Sequence, residues 1–398
     1  MKKKYIYFFR ADLKSHVHFY KNWVDAVREN GFKMDLITFV SPKVFFNSYD
    51  LVRKYKSSNF KIFIDLKFSP FTFCYFFIVI LLNDITVIHL KKRKINQFVF
   101  LKKIFPNKIK IILEGEGDPV LEHDFLSKHP YKNKFYNEVL KDLKNEILSQ
   151  KNNFDGADYL TFGYSTMKEL LIKRFPGLNL QKKIFLANMS FKKGSLFYSK
   201  EIRINFRKKY NLENKKVFIY TGNAFYSWQC VFRSIEIFKL IKSHFDIDSF
   251  LILLVRPQDH EIVDDFLKKL QIPVQDYLLT HTDHNNINNF LNLSDFGFAL
   301  RHNHEMNNTT PSAKIIEYLG SGLPIITTNS MGDVTNLIKE KRCGLVLDDM
   351  DDNKEIINKF LSFLNYSGQK RKIISLWANQ NLSTEAKIKD YINLLTKI

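Results

Sequence analysis

The sequence predicts an α/β protein built from two doubly wound domains, and three observations lead to this prediction. The chain of 398 residues is longer than a single hydrophobic core usually supports. Apolar runs of strand length alternate with helical patterns nearly throughout, which is typical of parallel sheets covered by helices. The alternation occurs twice, and the two series meet near residues 188–199, where the regular patterning lapses.

The first series of elements fills residues 1–190, which we interpret as an N-terminal domain. Its seven predicted strands cover residues 5–9, 34–39, 61–66, 85–90, 109–113, 159–162 and 184–186. Helical patterns lie between them, including residues 18–29 and 133–149. The most apolar run, residues 71–82, is too short to span a bilayer, which takes about 20 residues. It therefore favours a buried helix over a segment that lies at a membrane interface.

The second series fills residues 191–380, which we interpret as a C-terminal domain. Its six predicted strands cover residues 217–220, 250–255, 277–280, 296–300, 324–327 and 344–347. Helical patterns between them include residues 227–242, 261–270 and 313–319. The last residues, 381–398, contain no strand pattern, and we expect a helix that packs back on the N-terminal domain. Ligands of such sheets gather at the carboxyl ends of the strands, so we expect the two domains to face each other across a cleft that holds the site.

Charge is distributed unevenly along the chain. Residues 1–200 contain 36 Lys and Arg against 18 Asp and Glu, whereas the remaining residues contain 25 against 23. A basic half attracts polyanions such as anionic lipid or nucleic acid, and a solvated lysine-rich face is the alternative. The chain has no nucleic-acid recognition motif, so we expect an anionic membrane surface and not nucleic acid as a partner.

The cysteines and the amino-terminal residues bear on the compartment. Three scattered cysteines, Cys74, Cys230 and Cys343, form no CxxC pair and no cluster with zinc spacing. This pattern predicts a reducing compartment without a disulfide framework or a metal site. The basic start continues directly into a strand-like run, so we expect no secretory signal. The expected location is the cytoplasm, with peripheral association at the inner face of the cell membrane.

The most informative segment is residues 311–326, which read PSAKIIEYLGSGLPII. Ser312 is a natural N-cap, and the pattern predicts a short helix that ends at the glycines before a strand. The free amides of a helix N-terminus bind anions, and Lys314 in the first turn adds a positive charge. Glu317 lies one turn further on, on the same side as Lys314. A carboxylate there can accept hydrogen bonds from a ribose diol, while the helix tip and Lys314 hold a diphosphate.

This segment resembles the donor-binding segment of glycosyltransferase family four, the group 1 family, and its relatives on the GT-B fold. Those proteins have a proline, a lysine and a Glu-Tyr-Leu helix that ends in Gly-x-Pro and an apolar strand. Residues 295–301, DFGFALR, look like the family's strand with an arginine at its end, and Gly332-Asp333 and residues 343–346 look like its glycine loop and final strand. The resemblance is continuous over about fifty residues.

The resemblance implies two Rossmann-like domains in the GT-B arrangement, with a nucleotide-sugar such as a UDP-sugar on the second domain and the acceptor on the first. It implies that Glu317 binds ribose and that Ser312, Ala313 and Lys314 contact phosphate. Arg301 then neutralises the phosphate leaving group. It further implies a retaining hexosyl transfer that needs no cofactor and no metal, because the helix dipole and basic side chains take the place of magnesium.

Two positions depart from the family pattern. Thr309 stands where the family often has a glutamate. The loop after the first strand of the second domain, residues 220–229, reads YTGNAFYSWQ and lacks the usual arginine and lysine. Its candidate donor-binding residues are Gly222, Asn223 and Trp228, since the glycine lets the backbone approach a ligand closely. The charge for the diphosphate is then expected from Arg301, Lys314 and Arg256.

On the acceptor side, the best local feature is the run LEGEGDP at residues 113–119, directly after a predicted strand. Its position at the carboxyl edge of a sheet makes Glu116, Asp118 and the nearby His123 candidate catalytic residues. A carboxylate or a histidine there can orient or deprotonate an acceptor hydroxyl. The alternative is an ordinary loop rich in Gly, Asp and Pro.

These observations predict a glycosyltransferase that moves a sugar to a lipid-linked or surface-polysaccharide acceptor at the cytoplasmic face of a bacterial membrane. Two alternatives remain open. A sugar-nucleotide epimerase shares the fold but needs no acceptor site. A catalytically idle GT-B protein that serves as a binding subunit is favoured by Thr309 and by the altered loop.

Overall fold

The computed structural model describes two compact units. The described residues are 2–9, 17–47, 53, 59–64, 70–91, 95–115, 117–128, 143–186, 190–245, 247–310, 312–349, 351–364 and 368–398. Unit 1 comprises Met1–Val120, Lys141–Asn188 and Lys387–Ile398, and unit 2 comprises Leu121–Leu140 and Met189–Ala386.

Unit 1 is built on a parallel sheet of seven strands. The strands are β1 (Lys3–Phe9), β2 (Met34–Val40), β3 (Phe60–Ile64), β4 (Ile85–Lys91), β5 (Ile109–Glu114), β6 (Tyr159–Phe162) and β7 (Ile184–Leu186). Their order in the sheet is β3-β2-β1-β4-β5-β6-β7, and Ile6 of β1 lies opposite Asp35 of β2 and Ile88 of β4. Strand β2 is buried along its whole length, as expected for a parallel sheet covered on both faces.

The helices of unit 1 cover both faces of this sheet. They are α1 (Val17–Glu29), α2 (Pro42–Asn47), α3 (Pro70–Leu81), α4 (Asn96–Ile104), α6 (Leu143–Gly156), α7 (Ser165–Arg174), α8 (Leu180–Lys183) and α19 (Lys389–Lys397). One core layer lies between the sheet and helices α3 and α4, with Phe76 and Phe98 at its centre. The other includes Tyr391 of the C-terminal helix α19, which is fully buried and bonded to His89 at 2.9 Å.

Unit 2 is built on a parallel sheet of six strands. These are β8 (Lys216–Gly222), β9 (Ser249–Val255), β10 (Tyr277–Thr280), β11 (Phe296–Ala299), β12 (Ile325–Thr328) and β13 (Gly344–Leu347), in the order β10-β9-β8-β11-β12-β13. Strand β8 therefore lies between β9 and β11, and the chain changes direction across the sheet at the β8–β11 pair. The core on one face is rich in phenylalanine, with Phe218, Phe298 and Phe360 packed ring to ring.

The remaining helices belong to unit 2, and helix α5 begins at the boundary between the units. They are α5 (Pro119–Lys128), α9 (Lys200–Lys209), α10 (Val231–Phe245), α11 (His260–Lys269), α12 (Ile287–Leu293), α13 (Glu305–Thr309), α14 (Ala313–Gly320), α15 (Asp333–Lys341), α16 (Asn353–Leu361), α17 (Gly368–Asn381) and α18 (Thr384–Lys387). Short 3₁₀ turns lie at Pro176–Leu178, Ser227–Gln229, Pro257–Asp259, Val274–Asp276 and His284–Asn286. No helix among the described residues is long and apolar enough to cross a membrane.

All thirteen predicted strands are confirmed, with ends that differ by at most two residues. The helix predicted at residues 133–149 is observed at Leu143–Gly156, and residues 133–142 lie outside the described part of the chain. Leu121–Leu140, predicted within the N-terminal domain, belongs to unit 2. The physical reason lies in Phe125, which is buried and packs against Trp228 and His304, and in Asp124, which bonds His304 at 2.9 Å.

The apolar run at residues 71–82 forms a helix, but the prediction that this helix is buried was wrong in part. Phe76 and Ile80 are fully buried against the sheet. Phe71, Ile78 and Leu81 of the same helix are exposed to solvent, as is Leu82 directly after it. One helix face therefore packs on the sheet, while the opposite face leaves large apolar side chains in contact with water.

Candidate functional site

The candidate site lies at the carboxyl ends of β8 and β11. These strands are neighbours in the sheet of unit 2, although β9 and β10 lie between them in sequence. A doubly wound sheet binds ligands at such a point, outside the carboxyl ends of the strands where the strand order reverses. Gly222 ends β8, and Arg301 follows β11 after one further residue. Both predicted donor-binding residues are therefore brought to the same edge of the sheet.

Helix α14 is fixed against this edge by Tyr318. The Thr221 amide donates to the Tyr318 hydroxyl at 3.1 Å, and that hydroxyl donates to the carbonyl of Phe298 at 3.3 Å. One buried side chain thus joins α14 to both β8 and β11. Ser312 occupies the N-cap position and Ala313 is the first helical residue, as predicted from the sequence.

Lys314, in the first turn of α14, is a buried cation. It is 7% exposed, and within the described part of the chain its Nζ has no hydrogen-bond partner. The ammonium lies 4.0 Å from the centroid of the Tyr220 ring, and a Cβ built on Gly222 would lie 3.2 Å from it. Burial, with a contribution from the charge of Arg301, lowers the pKa of Lys314 well below its usual value. A buried ammonium without an acceptor is unfavourable, and a bound anion would supply the acceptors.

Arg301 is the second buried cation of the site, 6% exposed. Its Nη1 donates to the carbonyl of Trp228 at 3.0 Å, and its amide donates to the hydroxyl of Thr328 at 3.0 Å. These bonds connect the end of β11 to the loop after β8 and to β12. Two buried positive charges therefore lie at the edge where the helix N-terminus of α14 also presents its amides.

The loop after β8 is held by local contacts. Gly222 has a φ of +138°, a conformation that favours glycine. The side-chain oxygen of Asn223 accepts from the Phe225 amide at 2.7 Å. The Trp228 ring stacks on the Tyr226 ring with centroids 4.4 Å apart. The absence of a side chain at Gly222 leaves room for the Lys314 ammonium, which a larger residue at this position would contact.

Glu317 lies one turn after Lys314 and is largely buried, with a side chain 17% exposed. Burial raises the pKa of Glu317 to about 7, and the charge of Lys314 acts in the opposite direction. Its Oε1 lies 3.7 Å from Nδ1 of His284, whose own pKa is lowered by burial. No motif in the sequence had singled out His284. The available signal was its position in the loop that follows β10 at the same edge of the sheet.

Arg256 differs from the other two cationic candidates. It follows β9, the neighbour of β8, but its side chain is exposed whereas Arg301 and Lys314 are buried.

A cavity of about 580 Å³ adjoins the site on the side of Arg301. Its lining includes Tyr226, Cys230, Arg233 and Asp349.

The acceptor-side candidates are dispersed. Glu116 lies outside the described residues. Asp118 is fully buried, forms an ion pair with Arg174 and accepts from the Val120 amide at 2.8 Å, which are the contacts of a residue that stabilises the fold. His123 is partly buried on α5 and belongs to unit 2.

Glu114, which ends β5 in unit 1, is a further residue that was not among the predicted candidates. Lys91 Nζ lies 3.0 Å from its Oε1, and the Tyr7 hydroxyl donates to its Oε2 at 2.5 Å. Burial disfavours the carboxylate, but Lys91, His89 and Tyr7 together lower the pKa of Glu114 below its usual range. This carboxylate is therefore ionised at neutral pH, at the carboxyl edge of the unit 1 sheet.

Several solved structures are similar to the whole chain. Sucrose-phosphate synthase from Thermosynechococcus elongatus matches over 99% of each chain, with a TM-score of 0.70 and 11% identity. HepE of Anabaena, crystallised with UDP and glucose, matches over 100% of each chain, with a TM-score of 0.70 and 11% identity. A glycosyltransferase from Rickettsia africae ESF-5 covers 99% of this chain and 98% of its own, with a TM-score of 0.66 and 13% identity.

These similarities establish the class of fold. The two doubly wound units, matched over their full length by GT-B glycosyltransferases, are those of the GT-B fold. At identities near 11% the likeness shows the fold alone. No protein-family model matches the chain, and comparison with curated proteins gives no significant sequence match.

Proposed function

We propose that this protein is a glycosyltransferase of the family-four type, which transfers a hexose from a UDP-sugar held by unit 2 to an acceptor hydroxyl. The observation that carries the proposal is Lys314, a buried cation for which the described residues supply no hydrogen-bond acceptor, beside Arg301 at the switch point of the sheet. The choice of UDP is supported by HepE, whose structures contain UDP or UDP-glucose.

In the proposed mechanism the bond between the sugar C1 and the β-phosphate oxygen breaks, a new bond forms between C1 and the acceptor oxygen, and the proton of the acceptor hydroxyl passes to the departing β-phosphate oxygen. Negative charge then grows on the departing diphosphate. Lys314, Arg301 and the amides at the N-terminus of α14 stabilise that charge without reorganisation, because they are already in place. Glu317 binds the ribose diol, and Gly222, Asn223 and Trp228 form the wall of the donor site, with Arg256 at its exposed edge.

This arrangement needs no divalent metal, because its cations come from the chain itself. The retaining outcome follows from the resemblance of residues 311–326 to family four. On the acceptor side, we propose a lipid-linked or surface-polysaccharide precursor at the cytoplasmic face of the membrane. The net charge of +18 in residues 1–200 supports this choice, and one structural neighbour, WaaG, acts in lipopolysaccharide biosynthesis.

The test is a thermal-shift screen of the purified chain against UDP, GDP, CDP and ADP without added metal, with uridine as the control that lacks phosphate. A ligand at a hundred times its Kd adds about 2.7 kcal/mol to the free energy of unfolding. We expect a shift with UDP and none with uridine at the same concentration. No shift with any nucleotide would contradict the proposal and favour the idle binding subunit.

Incubation with UDP-glucose in the absence of acceptor separates the transferase from an epimerase. A transferase leaves the sugar configuration unchanged, and chromatography should return UDP-glucose with at most slow hydrolysis to UDP and glucose. Conversion to a second UDP-hexose would identify an epimerase and overturn the proposed reaction.

A further inference from the structure

Unit 1 has an exposed apolar surface formed by helices α3 and α4. We call it the apolar patch and define it as Phe71, Ile78, Leu81, Leu82, Phe100 and Ile104. Each of these residues is between 45% and 68% exposed. A contiguous set of large exposed apolar side chains marks a surface that contacts another phase or molecule.

The patch is continuous because the two helices pack side by side. The rings of Phe73 and Phe100 lie 6.1 Å apart, which joins the middle of α4 to the start of α3. Ile78 follows Phe71 by seven residues, so both fall on one face of α3, and the amide of Leu82, directly after the helix, donates to the carbonyl of Ile78 at 3.0 Å. The opposite face, with Phe76 and Ile80, is already used against the sheet.

Two lysines accompany the patch. Among the described lysines of residues 70–113, Lys91 is paired with Glu114, and Lys102 and Lys110 with Asp158, whereas Lys103 and Lys108 form no ion pair with a described residue. Lys103 is exposed on α4 between Phe100 and Ile104. Lys108 donates to the carbonyl of Leu81 at 3.4 Å, so it lies at the end of α3 that carries Leu81 and Leu82.

We propose that the apolar patch, with Lys103 and Lys108, docks unit 1 on an anionic lipid bilayer. Exposed apolar side chains flanked by lysine are the combination that lies in a membrane interface, with the apolar face in the acyl boundary and the lysines at anionic headgroups. Helix α3 has 12 residues and cannot span the bilayer, so it lies along the surface.

The same composition argues against a protein as the occupant. Lysine is depleted at protein–protein interfaces, and Lys103 and Lys108 lie beside the patch. A second copy of this chain would bring two surfaces that each carry these lysines together, and like charges across an interface cost several kcal/mol. An anionic bilayer is complementary to both the apolar and the basic groups.

This inference names the surface through which the protein of the proposed function reaches a membrane-bound acceptor. The proposed function supplies the reason for docking. The docking surface itself is independent of it, because the patch contains none of the proposed donor-binding residues. Vesicle binding and nucleotide binding are therefore measured separately on the same variants.

The experiment is co-sedimentation of the full chain with vesicles of 70% phosphatidylcholine and 30% phosphatidylglycerol, and with vesicles of phosphatidylcholine alone. The test variant is Ile78→Ser with Leu81→Ser and Phe100→Ser. The matched control is Ile262→Ser with Val274→Ser and Leu361→Ser, three exposed apolar residues of unit 2. We expect the test variant to bind anionic vesicles at least tenfold more weakly and the control to bind like the wild type.

A second variant, Lys103→Gln with Lys108→Gln, tests the electrostatic part. Each lysine near an anionic surface contributes about fivefold in binding, so the pair should cost on the order of 25-fold at low salt and less as salt is raised. Equal binding to neutral and anionic vesicles, or equal loss in the test and control triples, would overturn the proposal. A dimer that dissociates only in the test triple would instead identify a second copy as the occupant.

The UDP-induced thermal shift is recorded for every variant. Loss of vesicle binding with the shift retained supports docking through the patch and shows that the variant is folded. If wild type shows no shift with UDP but binds anionic vesicles through the patch, the proposed donor fails while the docking surface stands. If the test triple binds anionic vesicles as tightly as the wild type, the proposed docking surface is wrong, while the proposed function is unaffected.

Discussion

Replacing Lys314 with methionine separates a ligand-binding role from a structural one. Methionine keeps most of the length of the side chain but removes the charge. A buried charge costs several kcal/mol to desolvate, and the Tyr220 ring 4.0 Å away returns up to about 2 kcal/mol of that cost. The described part of the chain offers no acceptor to the ammonium donors, so we expect Lys314→Met to raise the free energy of unfolding by roughly 1–3 kcal/mol.

The affinity for UDP should fall in the same variant whose stability rises. A charge-assisted hydrogen bond to phosphate contributes roughly 1.5–3 kcal/mol, so we expect UDP to bind about 10- to 150-fold more weakly to the variant. Uridine has no phosphate and should bind equally to both proteins. Urea unfolding gives the stability and isothermal titration gives both affinities. A variant that is less stable than the wild type and binds UDP unchanged would refute the assignment of Lys314 to phosphate.

Three further predictions address other residues. Glu317→Ala should abolish the preference for UDP over 2′-deoxy-UDP in titrations, because the carboxylate assigned to the ribose diol is gone; a retained preference would exclude that role. Burial raises the pKa of Glu317 to about 7, so between its unfolded value of 4.5 and 7 the folded protein holds a proton that the unfolded chain has lost. This contribution to stability is complete below pH 4.5 and is lost as the pH rises toward 7, so Glu317→Gln should flatten that part of the stability profile; an unchanged slope counts against it. Asp295→Asn weakens the partly buried ion pairs with Arg203 and Arg207 at the far end of β11 and should cost about 1.5–3 kcal/mol in urea unfolding while UDP affinity stays the same. A stable variant, or one with altered UDP affinity, would contradict this.

The strands could be predicted from the sequence because parallel strands buried on both faces read as continuous apolar runs. The segment around Lys314 and Glu317 could be predicted because its pattern is local. The N-cap residue, the charged residues and the glycine that ends the helix all lie within ten residues. What escaped prediction depends on contacts between distant residues. Tyr318 contacts Thr221, 97 residues away, and that contact joins the helix that carries Lys314 to the end of β8.

Contacts between distant residues also lie behind two further features that the sequence did not predict. Asp118 is paired with Arg174, which lies 56 residues later and outside the local run at residues 113–119. Helix α3 is apolar on every side, so its sequence has no periodicity to show which face packs on the sheet and which stays exposed. Composition alone could not distinguish a buried helix from one that lies at an interface.

The most direct test of the proposed donor site is a crystal structure of the protein with UDP. We predict density for the diphosphate within hydrogen-bonding distance, about 3 Å, of Lys314 Nζ at the N-terminus of α14, with the ribose hydroxyls at Glu317. Density elsewhere, for example in the cavity lined by Tyr226, Arg233 and Asp349, with Lys314 still without a partner, would contradict the assignment of this edge of the sheet to the nucleotide.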